Sequence, residues 1–226
     1  GLTRAQGFAL LFEMNSARQL LAFGESTLRN TRLLDPSRDA ILTTTSIGVE
    51  KLLKVALGLM QIAEGDGWPS KAKMRDEFGH GVTAMDARLR EHLDAWLATR
   101  EGPSFVHGLV EVVRADAVWP RLLDALDAYG RSGRFYYLNA LAESTQPWES
   151  PTALWDATEQ AAIAQHAEIR ALLGGPTEAL NRLPVALHHA VADSLLQWWT
   201  MVAWSARHGA LGDRGRQFGF EAHPDS

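Results

Sequence analysis

The stretch Ser46–Met60, SIGVEKLLKVALGLM, decides how the chain is read. Val49, Leu52, Leu53, Ala56 and Met60 recur at steps of three and four, the period of an α-helix and not of a strand. Carried back through Thr45 to Ile41, the stripe predicts one helix over 36–63. Asp35-Pro36 supplies an N-cap and a first-turn proline, and Gly65-Asp66-Gly67 ends the helix. Thr43-Thr44-Thr45 are poor helix formers, yet the stripe passes through them. Glu50, Lys51 and Lys54 border the stripe. Lys54 follows Glu50 by one turn, the favourable order for an ion pair. A solvated helix face has the same composition.

Working outward, the remaining segments read as helices too. Residues 3–30 carry Phe8, Leu11, Phe12, Leu20, Leu21 and Leu28 at helical steps, with Gly24 a weak point. Residues 80–99 set Val82, Met85, Leu89, Leu93, Trp96 and Leu97 on one face. Two shorter helices follow over 104–114 and 117–129, the second with Pro120 in its first turn. Arg134–Leu138 has strand propensity but no partner strand, so it is read as irregular or helical. Ser150-Pro151 opens a helix to about Leu173, and a last long helix runs over 184–207. The tail to Ser226 is expected to be loosely held. The expected fold is all-α: an antiparallel helical bundle over 1–145 with a Trp-rich C-terminal helical pair over 146–226 packed on it. The two parts could equally form one domain.

Composition narrows the function. The chain has 226 residues, 46% of them hydrophobic, which supports a large core. A formal net charge of −5 argues against a global grip on nucleic acid but leaves room for a local basic patch. With no cysteine, disulfides, thiol nucleophiles and thiolate zinc sites are excluded. No run of 18 apolar residues exists and the N-terminus lacks a signal-peptide pattern, so no membrane association and a cytoplasmic location are expected.

Three clusters carry candidate chemistry. In Arg75-Asp76-Glu77-Phe78-Gly79-His80, the arginine could stabilise phosphoryl charge and the histidine could act as acid or base. The plainer reading makes Gly79-His80-Gly81 a loop-to-helix joint and leaves Arg75 solvated. Glu77 and His80 also fit half of a carboxylate-bridged metal pair, but the second Glu-x-x-His is absent, so neither metal nor cofactor is expected. His189 and Asp193 lie one turn apart, with His166 and Glu168 on the preceding helix as further zinc ligands. An intrahelical His189–Asp193 hydrogen bond explains that spacing more simply. Trp198, Trp199 and Trp204 suit core and homodimer packing. With Arg207, Arg214 and Arg216 beyond them, a base-stacking platform is the alternative.

One family resemblance draws these together. It rests on Gly48-Val49-Glu50-Lys51-Leu52-Leu53-Lys54, on Phe78-Gly79-His80-Gly81-Val82, and on Tyr129-Gly130-Arg131-Ser132-Gly133-Arg134-Phe135-Tyr136-Tyr137. Over about residues 5–140 the chain resembles a HEPN domain, the higher eukaryote and prokaryote nucleotide-binding helical bundle. The resemblance implies a bundle of about four to five helices, often dimeric. Some members are ribonucleases of defence and toxin systems, and others bind nucleotides or act as assembly partners. Ribonuclease members carry an arginine, then four to six residues, then a histidine near the start of the last core helix. Arg75 and His80 have that spacing but precede the third long helix. The leading expectation is a non-catalytic binding and oligomerisation module. Lys51, Lys54, Arg75 and Arg134 would meet a nucleotide or RNA phosphate, and His80 would pin the joint by donating to a helix-end carbonyl. The alternatives are a metal-independent ribonuclease using Arg75 and His80, and a helical metalloprotein using His166, His189 and Asp193.

Overall fold

A computed structural model describes residues 2–32, 37–99, 103–145 and 149–226. Regular structure among these residues is helical throughout, and the fold is all-α. Helix α1 (Arg4–Asn30) opens with a capping box. The Thr3 hydroxyl accepts the Gln6 N–H, and the Gln6 side chain accepts the Thr3 N–H. Helix α2 (Arg38–Ala63) follows; the expected Asp35-Pro36 start lies outside the described residues. The apolar stripe read from the sequence understates α2. Leu42, Ser46, Gly48, Val55, Leu57 and Leu59 are buried as well, so the helix is enclosed on most sides by α1 and by the helices that follow.

Two glycines let α1 and α2 approach closely. A Cβ on Gly24 would stand 2.2 Å from the Thr45 hydroxyl oxygen, and one on Gly48 would stand 3.0 Å from Leu21 Cγ. Gly24 is thus a contact point and not merely a weak helix former. Gly65 and Gly67, with φ of +98° and +75°, terminate α2 as expected from their positions.

The chain then forms α3 (Lys71–Lys73), which runs into a π-helical turn over Met74–Phe78. Gly79 closes that turn at φ +58°, its N–H donating to the Met74 carbonyl at 3.2 Å. Helices α4 (Val82–Ala98), α5 (Ser104–Ala115) and α6 (Val118–Arg131) come next. The 134–138 stretch is helical: a 3₁₀ turn over Gly133–Phe135, then α7 (Tyr136–Leu141). Ser150 caps α8 (Pro151–Gln165), its hydroxyl accepting the Ala153 N–H. The helix expected to reach Leu173 breaks at His166, which adopts an extended backbone before α9 (Ala167–Leu173). A short α10 (Thr177–Leu180), the long α11 (Leu183–Arg207) and α12 (Gly212–Phe218) complete the chain.

One continuous apolar core holds Leu21, Leu53, Leu89, Trp119, Trp155 and Trp198. Helix α11 packs on α1, α5, α6 and α8, and α8 packs on α6. Trp198 stacks on Trp119 with ring centroids 4.5 Å apart. Both indole N–H groups donate to Asp86, a carboxylate only 2% exposed, which also accepts from Arg90. The tryptophans expected on a dimer or base-stacking face are therefore mostly spent inside the chain. Trp198 and Trp199 are buried. Trp204 lies among Phe105, His208 and His223, with Arg207 over its ring. Arg216 pairs with Asp213 and Arg214 with Gln217. Nor is the tail loose: Ala210, Leu211 and Ala222 are buried, and Trp199 Nε1 donates to the Ala222 carbonyl at 2.6 Å. No helix among the described residues is long and apolar enough to cross a membrane.

Candidate functional site

Helices α1, α2 and α6, the turn after α6 and the joint before α4 meet around a cleft of about 580 Å³. Helix α2 supplies Thr43, Ser46, Ile47, Glu50, Lys51 and Lys54 to one wall, because steps of three, four and seven residues return to one helix face. The end of α6 and the turn after it bring Tyr129, Gly130, Arg131 and Arg134. His80 enters from the joint before α4, and Glu13 from α1. Each lysine is held by a carboxylate: Lys51 Nζ lies 2.8 Å from Glu13, and Lys54 Nζ 2.7 Å from Glu50.

Glu50 carries a second contact. His80 Nδ1 lies 2.9 Å from the same Glu50 oxygen that holds Lys54. This replaces the expected role of His80. The ring was to be a buried pin donating to a helix-end carbonyl; its side chain is instead 68% exposed and meets a carboxylate across the cleft. The flanking glycines have separate tasks. Gly79 takes the left-handed conformation that ends the π-helical turn. Gly81 leaves space for Arg131, whose Nη2 would stand 2.4 Å from a Cβ there. Arg131 is fixed by Asp127 at 2.9 Å, and the other Asp127 oxygen accepts the Thr83 N–H in the first turn of α4. Arg134 donates to the Gly130 carbonyl at 2.9 Å and lies over the Phe135 ring.

Among the described residues the lining holds four fixed cations, before any charge on His80, in a chain whose net charge is −5; Glu13 and Glu50 in the lining and Asp127 behind it pair with three of them. Lys51, Lys54, His80 and Arg134, singled out in the sequence, share this cleft. Arg75 does not line it. Its guanidinium is 76% exposed and pairs with the adjacent Asp76 through Nε at 2.5 Å and Nη2 at 2.9 Å. That pairing raises the Arg75 pKa and holds the Asp76 carboxyl below its ordinary value. Arg131, Tyr129 and Glu13 complete the site without having been selected from sequence. The first two lay inside the quoted Tyr129–Tyr137 motif, whereas Glu13 had no local signal.

No family model matches this chain, and no curated protein or solved structure matches it significantly. The chemistry of the cleft carries the functional reading.

The metal alternative finds no gathered ligands. His189 Nε2 lies 3.2 Å from the Arg29 carbonyl oxygen, and Asp193 accepts from Arg29 Nη2 at 2.6 Å, so the expected His189–Asp193 bond is replaced by contacts to the end of α1. His166 pairs with Glu168 at 3.2 Å. Among the described residues, no three His, Asp or Glu side chains converge as a metal site would need.

Tyr129 gives the cleft wall a pH dependence. Burial pushes its phenol above the ordinary value, and Asp39 adds to this while the Thr43 hydroxyl and Arg134 oppose it. A folded-state pKa above the unfolded one means that stability is complete below about pH 10 and is lost as pH rises through the folded value. The melting temperature is expected to fall more steeply between pH 9 and 11 in wild type than in Tyr129→Phe. Parallel curves would remove Tyr129 as a source of alkaline sensitivity.

Proposed function

We propose that the chain is a non-catalytic, HEPN-like binding module whose cleft takes the phosphate of a nucleotide or of RNA. The carrying observation is the convergence of Lys51, Lys54, Arg131 and Arg134 on one concave site of an acidic chain. Such a site concentrates field lines on an anion and draws it in. Exposed Phe135 and Tyr137, just after Arg134, offer ring faces on which a base can stack. Titration of AMP and of a short single-stranded RNA tests the reading. Each of Lys54→Ala and Arg134→Ala is expected to weaken binding roughly fivefold, the worth of one partly exposed charge, with the effect shrinking in high salt. Absence of saturable binding by either ligand at low salt would sink the reading.

The Glu50–His80 contact favours a second reading. A carboxylate on Nδ1 orients an imidazole and leaves Nε2 for proton transfer, as a metal-independent ribonuclease requires. Its cation would then come from Arg131 or Arg134 and not from Arg75. Cleavage of RNA by metal-free protein, lost in His80→Ala at unchanged melting temperature, would decide for it. Homodimerisation belongs to the proposal as well, with exposed Leu138 and Leu141 of α7 as the contact in place of the tryptophans. Sedimentation showing only monomer at micromolar concentrations would remove it.

A further inference from the structure

Guanidinium groups among the described residues are almost all engaged. Arg29 meets Glu25 and Asp193, Arg88 lies over Phe78, Arg170 reaches carbonyls at the end of α8, and Arg207 covers Trp204. Among the described residues, Arg32 and Arg182 are the two whose guanidinium has no hydrogen-bond, ion-pair or ring partner. Both line the same cavity, of about 450 Å³, away from the α2–α6 cleft and sharing no residue with it.

The two arginines come from separate parts of the chain. Arg32 lies just past α1, and Arg182 is the residue before α11, beside Asn181. Among the described residues no carboxylate lines the cavity; Leu172, Val185 and Ala186 form its apolar part. Two unpaired positive charges facing one cavity repel each other, and an anion between them turns that cost into attraction. A guanidinium offers a planar fork matched to the paired oxygens of a phosphate or carboxylate. The 25-residue α11 begins at this point and adds the positive end of its dipole.

We infer that this cavity is a binding site for a small amphiphilic oxyanion. The phosphate or carboxylate lies between Arg32 and Arg182, the Asn181 amide contributes a hydrogen bond, and the ligand's apolar body covers Leu172, Val185 and Ala186. The site is independent of the function proposed for the other cleft.

Methyl NMR on full-length protein tests this, reading the Leu172, Val185 and Ala186 signals during titration with phenyl phosphate, inorganic phosphate and benzoate. Phenyl phosphate is expected to shift these methyls saturably, and inorganic phosphate to bind more weakly because it lacks the apolar part. Arg32→Gln and Arg182→Gln, both at exposed positions, should each weaken the effect about tenfold at unchanged melting temperature. Lys54→Ala, in the other cleft, should leave it intact. Benzoate matching phenyl phosphate would show that the site takes either oxyanion, benzoate exceeding it would assign the site to carboxylates, and benzoate failing would assign it to phosphates. Methyls that respond to none of the three probes in wild type, or equally in wild type and both glutamine variants, would overturn the inference.

Discussion

Asp86→Ala is expected to lower folding stability by about 3–5 kcal/mol, read as a shifted urea midpoint at unchanged slope. The carboxylate sits in the core, where α4, α6 and α11 meet, and accepts from Trp198 Nε1 at 2.6 Å, Trp119 Nε1 at 3.4 Å and Arg90 Nε at 2.7 Å. Alanine leaves two indole N–H groups unpaired in a dry interior and removes the partner of Arg90. Each orphaned donor keeps the desolvation cost it had already incurred. Asp86→Asn is a milder case: its carbonyl oxygen still serves one indole, but its amide hydrogens oppose the other donors. Because the Trp119–Trp198 stack is fixed from this point, tryptophan fluorescence should shift in both variants. A loss below about 1 kcal/mol would mean that water or a backbone carbonyl takes over the indoles.

Glu50→Gln is expected to move two measurements in opposite directions. One Glu50 oxygen holds both Lys54 and His80, at 2.7 Å and 2.9 Å. Glutamine removes the charge that anchors both and leaves a more positive cleft. Stability should fall by about 1–2 kcal/mol, since the side chain is only partly exposed. Affinity for a phosphate ligand should rise about tenfold, because one opposing carboxylate is gone from its surroundings. If affinity falls together with stability, Glu50 organises the site and does not merely offset its charge. Under the ribonuclease reading, the same variant would lose cleavage while binding RNA more tightly.

The all-α fold was legible because the apolar steps in α1, α2, α4 and α11 follow the helical period over many turns. What escaped the pattern is instructive. His166 breaks the α8–α9 segment with neither glycine nor proline to mark it. The tail is tied down by the Trp199–Ala222 hydrogen bond, which no local composition announces. The same division runs through the cleft. Lys51 and Lys54 could be found because they share a helix face with Glu50, and His80 because two glycines flank it. Arg75 was attached to His80 by spacing along the chain. Arg75 sits within a π-helical turn that a left-handed glycine closes, and both break the regular α-helical phase on which such spacing depends. Glu13 reaches Lys51 only because α1 lies along α2, with glycine contacts between them at Gly24 and Gly48.

The contact between α1 and α11 bears on how the chain reaches this state. Arg29 and Asp193 pair across 164 positions, and His188 and His189 meet carbonyls at the end of α1. Closing so long a loop is entropically costly and is repaid only once much of the core exists. Helices α1 and α2 are sequence neighbours and can associate early, while α11 must wait for the helices that receive it. The burial of Trp198, observed by stopped-flow fluorescence, should therefore follow the growth of helical signal and not accompany it.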